Sequence, residues 1–337
     1  MITRRTSLAL IGGSMATLAA PTVLRAQAPR NLRVGHAFPE SHPYHKGLSR
    51  FADETARLTG GAVTMTVYPS GQLGADIEMI EGMGLGTIDG AAITSGHLAL
   101  THGITRFNLL DMPFLFKDYD AIERFVAGPL GQKLTGMDPA TGIRVCGVAG
   151  AGFHQILNGV RPINGPADLK GLKLRVWQSP SARLAFEIMG ASPTPMDYSE
   201  VFTAVQQRVV DGMTNSLTTL FLTKMFEVAK FLSITNHQYP FLQFVLSENT
   251  FQSLDAKYRD AVLEAGAEGA RFLRAIYPAQ DAQFREQLAA AGCQINEADR
   301  DAFITHVSKE YGRFAALVKE PGANEMIEEL VALSSGR

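Results

Sequence analysis

Residues 168–215 read DLKGLKLRVWQSPSARLAFEIMGASPTPMDYSEVFTAVQQRVVDGMTN, and this stretch decides the fold. Apolar and polar residues alternate over residues 172–177, which predicts a β-strand with Arg175 in its middle. A helical pattern, a turn with two prolines and a second helical pattern follow, and a short element then ends at Asn215. The stretch therefore predicts one α/β unit that contains both Arg175 and Asn215.

Arg175 is the side chain of this unit that bears most directly on function. An arginine in a short strand commonly lies on a solvated face or pairs with a nearby acid. The alternative is a binding role, because the planar guanidinium offers a fork of donors that matches a carboxylate in a way lysine does not.

The whole stretch closely resembles the solute-binding proteins of TRAP transporters, the DctP-type family. The run LKGLKLRV, the run GASPTPM with the following SEV and VDG, and then the asparagine recur together in that family. Weaker similarity extends from Leu32 almost to the C-terminus. The resemblance implies an α/β fold: a two-domain periplasmic binding protein with a hinge and a long helix that spans both domains.

We expect the chain to pass from one domain to the other twice, and these two crossings would form the hinge. A long amphipathic pattern from Ser253 towards Leu288 predicts the spanning helix, in which Gly266 and Gly269 are weak points. Pro278 is expected to end or kink that helix. Residues 217–232 are also predicted to be helical. The predicted domains are 29–151 with 240–279, and 152–239 with 280–337.

The resemblance implies that Arg175 and Asn215 hold the carboxylate of a ligand and that an aromatic residue lies near Tyr198. In the family, residues 152–155 often read GFRQ, and the arginine contacts the ligand. This chain has His154 at that position. A neutral or switchable imidazole in place of a permanent charge favours a monocarboxylate with a hydroxyl, keto or apolar neighbour over a dicarboxylate.

Three further residues are candidate ligand contacts. Trp177, the only tryptophan of the chain, either fills the core or forms a flat wall for the ligand. Thr94 and Ser95 follow a predicted strand, and ligands of doubly wound sheets lie beyond the carboxyl ends of strands. An ordinary helix cap explains Thr94 and Ser95 equally well.

The N-terminal 28 residues are typical of an export signal. Arg4 and Arg5 precede an apolar stretch, and Ala26-Gln27-Ala28 fits a cleavage site. We expect a cleaved signal peptide and a periplasmic protein. The twin arginines suggest the Tat route, although Ser7 replaces the usual phenylalanine; an uncleaved membrane anchor is the alternative. Loss of three arginines with this segment changes the net charge from −2 to −5, which does not suggest nucleic-acid binding.

The sequence offers little support for a metal or a cofactor, and we expect neither. His36, His42 and His45 lack the spacing of a zinc motif. Cys146 and Cys293 are expected to be separate buried thiols, with a disulfide as the alternative in an oxidising compartment.

Gly150-Ala151-Gly152 follows a strand as in a dinucleotide fingerprint, but Gln155 replaces the third glycine. No serine lies in a nucleophile elbow, and no cysteine–histidine pair has a catalytic signature. The acids Asp76, Glu78 and Glu81 are interpreted as a solvated helix face. The residues therefore predict a binding protein rather than an enzyme.

We thus expect a receptor that closes its two domains around a small organic acid and delivers the acid to the membrane subunits of a TRAP transporter. One alternative is an exported receptor that feeds a sensor kinase, and another is an exported enzyme acting on an organic acid. No heptad pattern or apolar patch suggests an obligate dimer, so a monomer is expected.

Overall fold

The computed structural model describes residues 29–136 and 139–334, which form two β-sheets surrounded by helices. The first sheet has the strand order β2-β1-β3-β10-β4, and β10 runs antiparallel to both of its neighbours. Its strands are β1 (Arg30–Gly35), β2 (Val63–Tyr68), β3 (Gly90–Thr94), β4 (Ile143–Gly150) and β10 (Phe241–Ser247).

The second sheet has the order β11-β9-β5-β8-β6-β7 and is also mixed. β5 runs antiparallel to β8 and β9, whereas β6 is parallel to β7 and β8. Its strands are β5 (His154–Asn158), β6 (Lys173–Val176), β7 (Ser192–Pro195), β8 (Gly212–Ser216), β9 (Phe231–Gln238) and β11 (Gln294–Glu297).

Helices cover the sheets and connect their strands. The α-helices are α1 (Pro43–Leu58), α2 (Asp76–Leu85), α3 (Ser95–His102), α4 (Tyr119–Ala127), α5 (Pro129–Thr135), α6 (Pro180–Met189), α7 (Tyr198–Gln206), α8 (Leu217–Leu222), α9 (Glu248–Ser253), α10 (Ala256–Ala290), α11 (Arg300–Val307) and α12 (Ala323–Ser334). Short 3-10 helices span Thr105–Asp111, Pro139–Thr141, Pro166–Leu169, Met225–Glu227 and Ser308–Leu317.

Two short connections carry the chain between the two sheets. β4 of the first sheet is followed at once by β5 of the second, and β9 of the second by β10 of the first. The part of the protein around the first sheet is called the first half below, and the part around the second sheet is called the second half. Helix α10 then packs on α1 and β4 of the first half and on α8 of the second. The α/β fold with two sheets is confirmed, and the domain boundaries given above remain a prediction.

Glycines bring α10 close to the first sheet and to α1. A Cβ on Gly266 would lie 2.5 Å from the carbonyl oxygen of Cys146, and one on Gly269 would lie 2.8 Å from that of Gly47. Both distances are shorter than van der Waals contact, so these positions exclude larger residues. The glycines that weaken the helix by propensity therefore serve its packing.

One helix prediction was wrong, and one of the two outcomes expected at Pro278 does not occur. The helix predicted over 217–232 ends at Leu222, because Lys224 has a left-handed φ of 57° and the chain then turns into β9. Pro278 does not end α10, which continues to Ala290. Tyr277 and Phe284 on either side of Pro278 are buried, and this packing outweighs the one backbone hydrogen bond that the proline removes.

Cys146 and Cys293 are both buried and free, as expected. Burial raises the pKa of the Cys146 thiol to about 12, which keeps the thiol protonated and unreactive. Within residues 29–136 and 139–334, no helix has the length and apolar character of a membrane span. The predicted signal peptide lies outside the described residues.

Candidate functional site

A cavity of about 40 Å³ lies between the two sheets and is lined from both sides. Its walls include six of the seven residues that the sequence singles out. The lining residues are Phe38, Tyr44, Asp76, Ala92, Thr94, His97 and Leu242 from the first half, His154, Arg175, Trp177, Tyr198 and Asn215 from the second, and Ala151 and Pro240 at the crossings.

Arg175 is a buried cation with no acidic partner in contact. It is 4% exposed, and its Nε and Nη2 donate to the carbonyl oxygen of Met196 at 3.0 and 2.8 Å. Its guanidinium carbon lies 5.4 Å from the centre of the Tyr198 ring. No carboxylate of the described chain lies within 4.0 Å of it. Burial lowers the pKa of Arg175 to about 10, so the side chain stays charged at neutral pH.

Asn215 lies on β8, the strand next to β6 and Arg175. Its Oδ1 accepts a hydrogen bond from the backbone N–H of Ser216 at 2.8 Å. No residue of the described chain accepts a hydrogen bond from its Nδ2. Asn215 therefore has a donor free for a ligand beside the guanidinium.

His154 begins β5, the strand on the other side of β8, and is 4% exposed. Its Nδ1 lies 3.4 Å from Oγ1 of Thr214, and its Nε2 has no partner among the described residues. Burial lowers the pKa of His154 well below its ordinary value, and the neighbouring His237 and Arg175 add to that effect. The imidazole is therefore neutral.

Two aromatic side chains complete the second half of the cavity. The Trp177 ring meets the His154 ring edge to face, with centroids 5.4 Å apart. Tyr198 lies beneath Arg175, and its hydroxyl oxygen is 2.7 Å from Oγ1 of Thr223. Tyr198 thus supports the guanidinium from below while its own hydroxyl is already partnered.

Thr94 and Ser95 separate in the structure. Thr94 lines the cavity, and its Oγ1 lies 2.8 Å from Nδ1 of His97. Ser95 is fully buried outside the cavity lining, where its hydroxyl donates to the carbonyl of Phe241 and accepts from Nε2 of Gln243. The prediction of Ser95 as a ligand contact is therefore corrected, because the side chain turns towards β10 instead.

Sequence reasoning missed the acidic part of the cavity. Asp76, expected on a solvated helix face, lines the cavity with only 19% of its side chain exposed, and its Oδ2 lies 3.5 Å from Nδ1 of His97. Burial, helped by Asp197 and opposed by Arg175, raises the pKa of Asp76 to about 7. Burial and then Arg175 lower the pKa of His97 to about 4. At neutral pH this pair carries at most the charge of one carboxylate.

Asp76 and the aromatic lining residues did leave a signal in the sequence. Asp76 is the first residue of a helix that follows the turn after β2, so the rule that singled out Thr94 also applies to it. Phe38 and Tyr44 flank His42, which caps α1 and whose Nε2 lies 3.0 Å from Oγ1 of Thr219 in the second half. His42 therefore connects the two halves.

The residues of the cavity fit a small anion better than a metal. Within residues 29–136 and 139–334, no group of three or more His, Cys, Asp and Glu side chains is arranged to hold a metal ion. The site offers a fixed cation, an amide donor and a neutral imidazole on one side, and a single carboxyl group on the other. Such a set suits one carboxylate and uncharged oxygen groups.

Comparison with known proteins shows that the chain is similar to periplasmic solute-binding proteins. The chain is 31% identical over 277 residues to the 2,3-diketo-L-gulonate-binding periplasmic protein YiaO of Escherichia coli, covering 82% of this chain and 84% of that protein. It is 30% identical to the C4-dicarboxylate-binding periplasmic protein DctP of Rhodobacter capsulatus, covering 87% of each.

A TRAP periplasmic solute-binding protein of Polaromonas sp. JS666, solved with bound D-erythronate, superposes with a TM-score of 0.84 at 30% identity, covering 90% of this chain and 98% of that one. The sequence profile of the family described as bacterial extracellular solute-binding protein, family 7 (DctP), matches residues 34–317. The chain therefore belongs to family 7 of the bacterial extracellular solute-binding proteins.

Proposed function

We propose that this protein is a periplasmic receptor that captures a small organic acid and delivers it to the membrane subunits of a TRAP transporter. The observation that carries the proposal is Arg175: a buried, charged guanidinium that faces the cavity without a carboxylate partner from the described chain. An unpaired buried charge is costly, and a ligand carboxylate would supply the missing partner.

The ligand class follows from the rest of the cavity. His154 is neutral, so Arg175 is the only cation among the described residues that line the cavity, and Asp76 belongs to the other half. A second carboxylate would meet no positive charge and would be repelled by Asp76. We therefore propose a monocarboxylate with hydroxyl or keto groups; relatives bind 2,3-diketo-L-gulonate and D-erythronate, although one binds C4-dicarboxylates.

Ligand capture would stabilise the closed arrangement of the two halves. Phe38 of the first half packs against Tyr198 of the second with ring centroids 4.6 Å apart, and His42 meets Thr219. A ligand that touches both sides makes its full set of contacts only when the halves are together. Its binding energy therefore shifts the population from open to closed, the form presented to the membrane subunits.

The experiment is a thermal-shift screen of residues 29–337 against sugar acids, hydroxy and keto acids, aromatic acids, sulfonates and dicarboxylates. We expect one class of monocarboxylate to raise Tm. Arg175→Ala should lose about a thousandfold in affinity, because truncating one partner of a buried ion pair costs about 3–5 kcal/mol. Arg175→Lys is the matched control, since it keeps the positive charge and removes the planar pair of donors that binds a carboxylate through both oxygens.

Each outcome of the screen has a consequence. Unchanged affinity in Arg175→Ala would contradict the role of Arg175 in binding the ligand carboxylate. Tighter binding of a dicarboxylate than of any monocarboxylate would contradict the proposed monocarboxylate ligand. Mass spectrometry of the supernatant from denatured protein identifies any acid that stayed bound through purification. If no acid raises Tm and none is found in the supernatant, the proposed receptor function is contradicted. Recovery of the ligand unchanged after long incubation is expected of a receptor and not of an enzyme.

Two parts of the proposal concern the chain outside the cavity. We propose that residues 1–28 are removed on export, which N-terminal sequencing of the periplasmic protein would test, and that the mature receptor is monomeric. Adjacent genes for two membrane proteins would favour transport, whereas an adjacent sensor-kinase gene would favour signalling.

A further inference from the structure

His154 stands at the end of a row of hydrogen-bonding groups that runs from the interior of the second half to the cavity. Oγ1 of Thr235 lies 2.7 Å from Nδ1 of His237, and Nε2 of His237 lies 2.8 Å from Oγ1 of Thr214. The same Oγ1 lies 3.4 Å from Nδ1 of His154. All four side chains are at most 4% exposed, so water does not compete for these bonds.

The three hydrogen bonds of this row can have their donors and acceptors arranged in two ways, which run in opposite directions along the row. In the first, Thr235 donates to His237, His237 donates to Thr214, and Thr214 donates to Nδ1 of His154. His154 then carries its own hydrogen on Nε2, the atom that has no partner among the described residues. In the second direction every bond is reversed, and Nε2 of His154 carries a lone pair instead of a hydrogen.

Thr235 decides between the two directions. Its hydroxyl makes no side-chain hydrogen bond to the described residues other than the one to His237. In the second direction that hydroxyl accepts from His237, and its own hydrogen is left without an acceptor in the interior. In the first direction the donor without a protein partner is Nε2–H of His154, and His154 lines the cavity, where an oxygen of a ligand or of water can accept the hydrogen. Thr235 does not line the cavity, so its orphan donor finds no such acceptor and disfavours the second direction by about tenfold or more in population.

The neighbouring groups keep the row in place and uncharged. Phe186 meets the His237 ring edge to face at 5.2 Å, which limits rotation of the imidazole. Burial lowers the pKa of both histidines, so each ring holds one hydrogen. One hydrogen per ring is the condition under which the direction of the row is defined.

We propose that Thr235, His237 and Thr214 are positioning residues that hold His154 as the Nε2–H tautomer, a neutral donor aimed at an oxygen of the bound acid. This inference rests on the proposed function and deepens it. A neutral N–H donates to a hydroxyl or keto oxygen, whereas an ammonium group has no lone pair to accept its hydrogen. The ligand class is therefore hydroxy and keto monocarboxylates, with the corresponding amino acids excluded at this position.

The direct test is ¹⁵N NMR of the histidine-labelled protein, with His154→Gln used to assign the resonances. We expect His154 and His237 both to carry hydrogen on Nε2 and to have an unprotonated Nδ1. Thr214→Val, which keeps the shape and removes the hydroxyl, should shift His154 towards the Nδ1–H tautomer. Thr214→Ser should restore the wild-type spectrum. A hydrogen on Nδ1 of His154 in the wild type would overturn the inference.

Binding gives a second readout, for which the probes are 2-hydroxy, 2-oxo, 2-amino and unsubstituted monocarboxylates of three to six carbons. Thr214→Val should reduce the preference for the hydroxy and oxo acids over the unsubstituted acid by about three- to tenfold. An unchanged preference would overturn the inference. If the wild type binds no acid, the proposed function fails, while the NMR result still decides the tautomer.

Discussion

The two halves of the cavity differ in chemistry and in how the chain builds them. In the second half, His154, Asn215 and Arg175 lie on the three neighbouring strands β5, β8 and β6, and together they form a row of donors. The first half contributes Asp76 and aromatic rings from loops and helix ends. Anchoring of a carboxylate therefore belongs to the rigid sheet, and selection of the remaining groups belongs largely to the loops of the other half.

After Arg175→Ala, the largest effect is expected on the anchoring side, from Asn215→Asp. Aspartate keeps the shape of asparagine and the bond from the N–H of Ser216, but it replaces a donor with a negative charge beside the ligand carboxylate. We expect affinity for the acid to fall about a hundredfold, from the lost charge-assisted hydrogen bond and the added repulsion. Isothermal titration calorimetry measures this fall.

Asn215→Ala is the matched control for that change. It removes the donor without adding a charge, so its loss should be about tenfold. Equal affinities of the aspartate variant and the wild type would show that Asn215 does not contact the carboxylate, and the difference between the two halves would then rest on Arg175 and His154 alone.

Asp76→Asn tests the acidic half through the dependence of stability on pH. The pKa of Asp76 rises from 3.8 to about 7 in the folded protein. Below pH 3.8 both folded and unfolded states hold the proton. Between pH 4 and 7 the unfolded state ionises first, so the folded state loses stability, by at most about 4 kcal/mol. We expect the Tm of Asp76→Asn, relative to that of the wild type, to increase as pH rises from 4 to 7. Above pH 7 the difference in Tm should stay constant.

The same variant sharpens the proposed ligand class. Without the carboxylate of Asp76, a second negative charge on the ligand is no longer repelled, so dicarboxylates should gain relative to monocarboxylates. A constant Tm difference across pH 4 to 8 would contradict the account of Asp76 as a buried acid. Glu81→Gln, the same carboxyl-to-amide change at an exposed position of the same helix, is the matched control.

The smallest effects are expected from the neighbouring pair Thr94 and Ser95. Thr94→Val removes a hydroxyl from the cavity and should lower affinity by about three- to tenfold. Ser95→Ala should leave affinity within about twofold and reduce the free energy of unfolding by about 1–2 kcal/mol, because Gln243 loses a buried partner. Titration and chemical denaturation of both variants measure this contrast, and a loss of affinity in Ser95→Ala would contradict the corrected placement.

The contrast between the halves also explains which residues the sequence could identify. Arg175 and Asn215 lie in one continuous stretch with regular alternation and a family resemblance, so strand, helix and strand could be placed together. Asp76 reaches the cavity only because the turn after β2 and α2 packs there, and a helical pattern alone assigns such an acid to solvent. Lys224 ended a predicted helix through a left-handed backbone conformation, which side-chain periodicity does not encode.

Pro278 lies near the middle of α10, a continuous helix of 35 residues and about 50 Å in length. On one side of it, Leu273 packs near Gly47 of the first half, and on the other, Phe284 packs against Phe221 of the second. The proline has no N–H to donate to the preceding turn, so α10 lacks one backbone hydrogen bond between its contacts with the two halves. If the receptor opens by bending this helix, the helix would bend most easily at the hydrogen bond that Pro278 lacks.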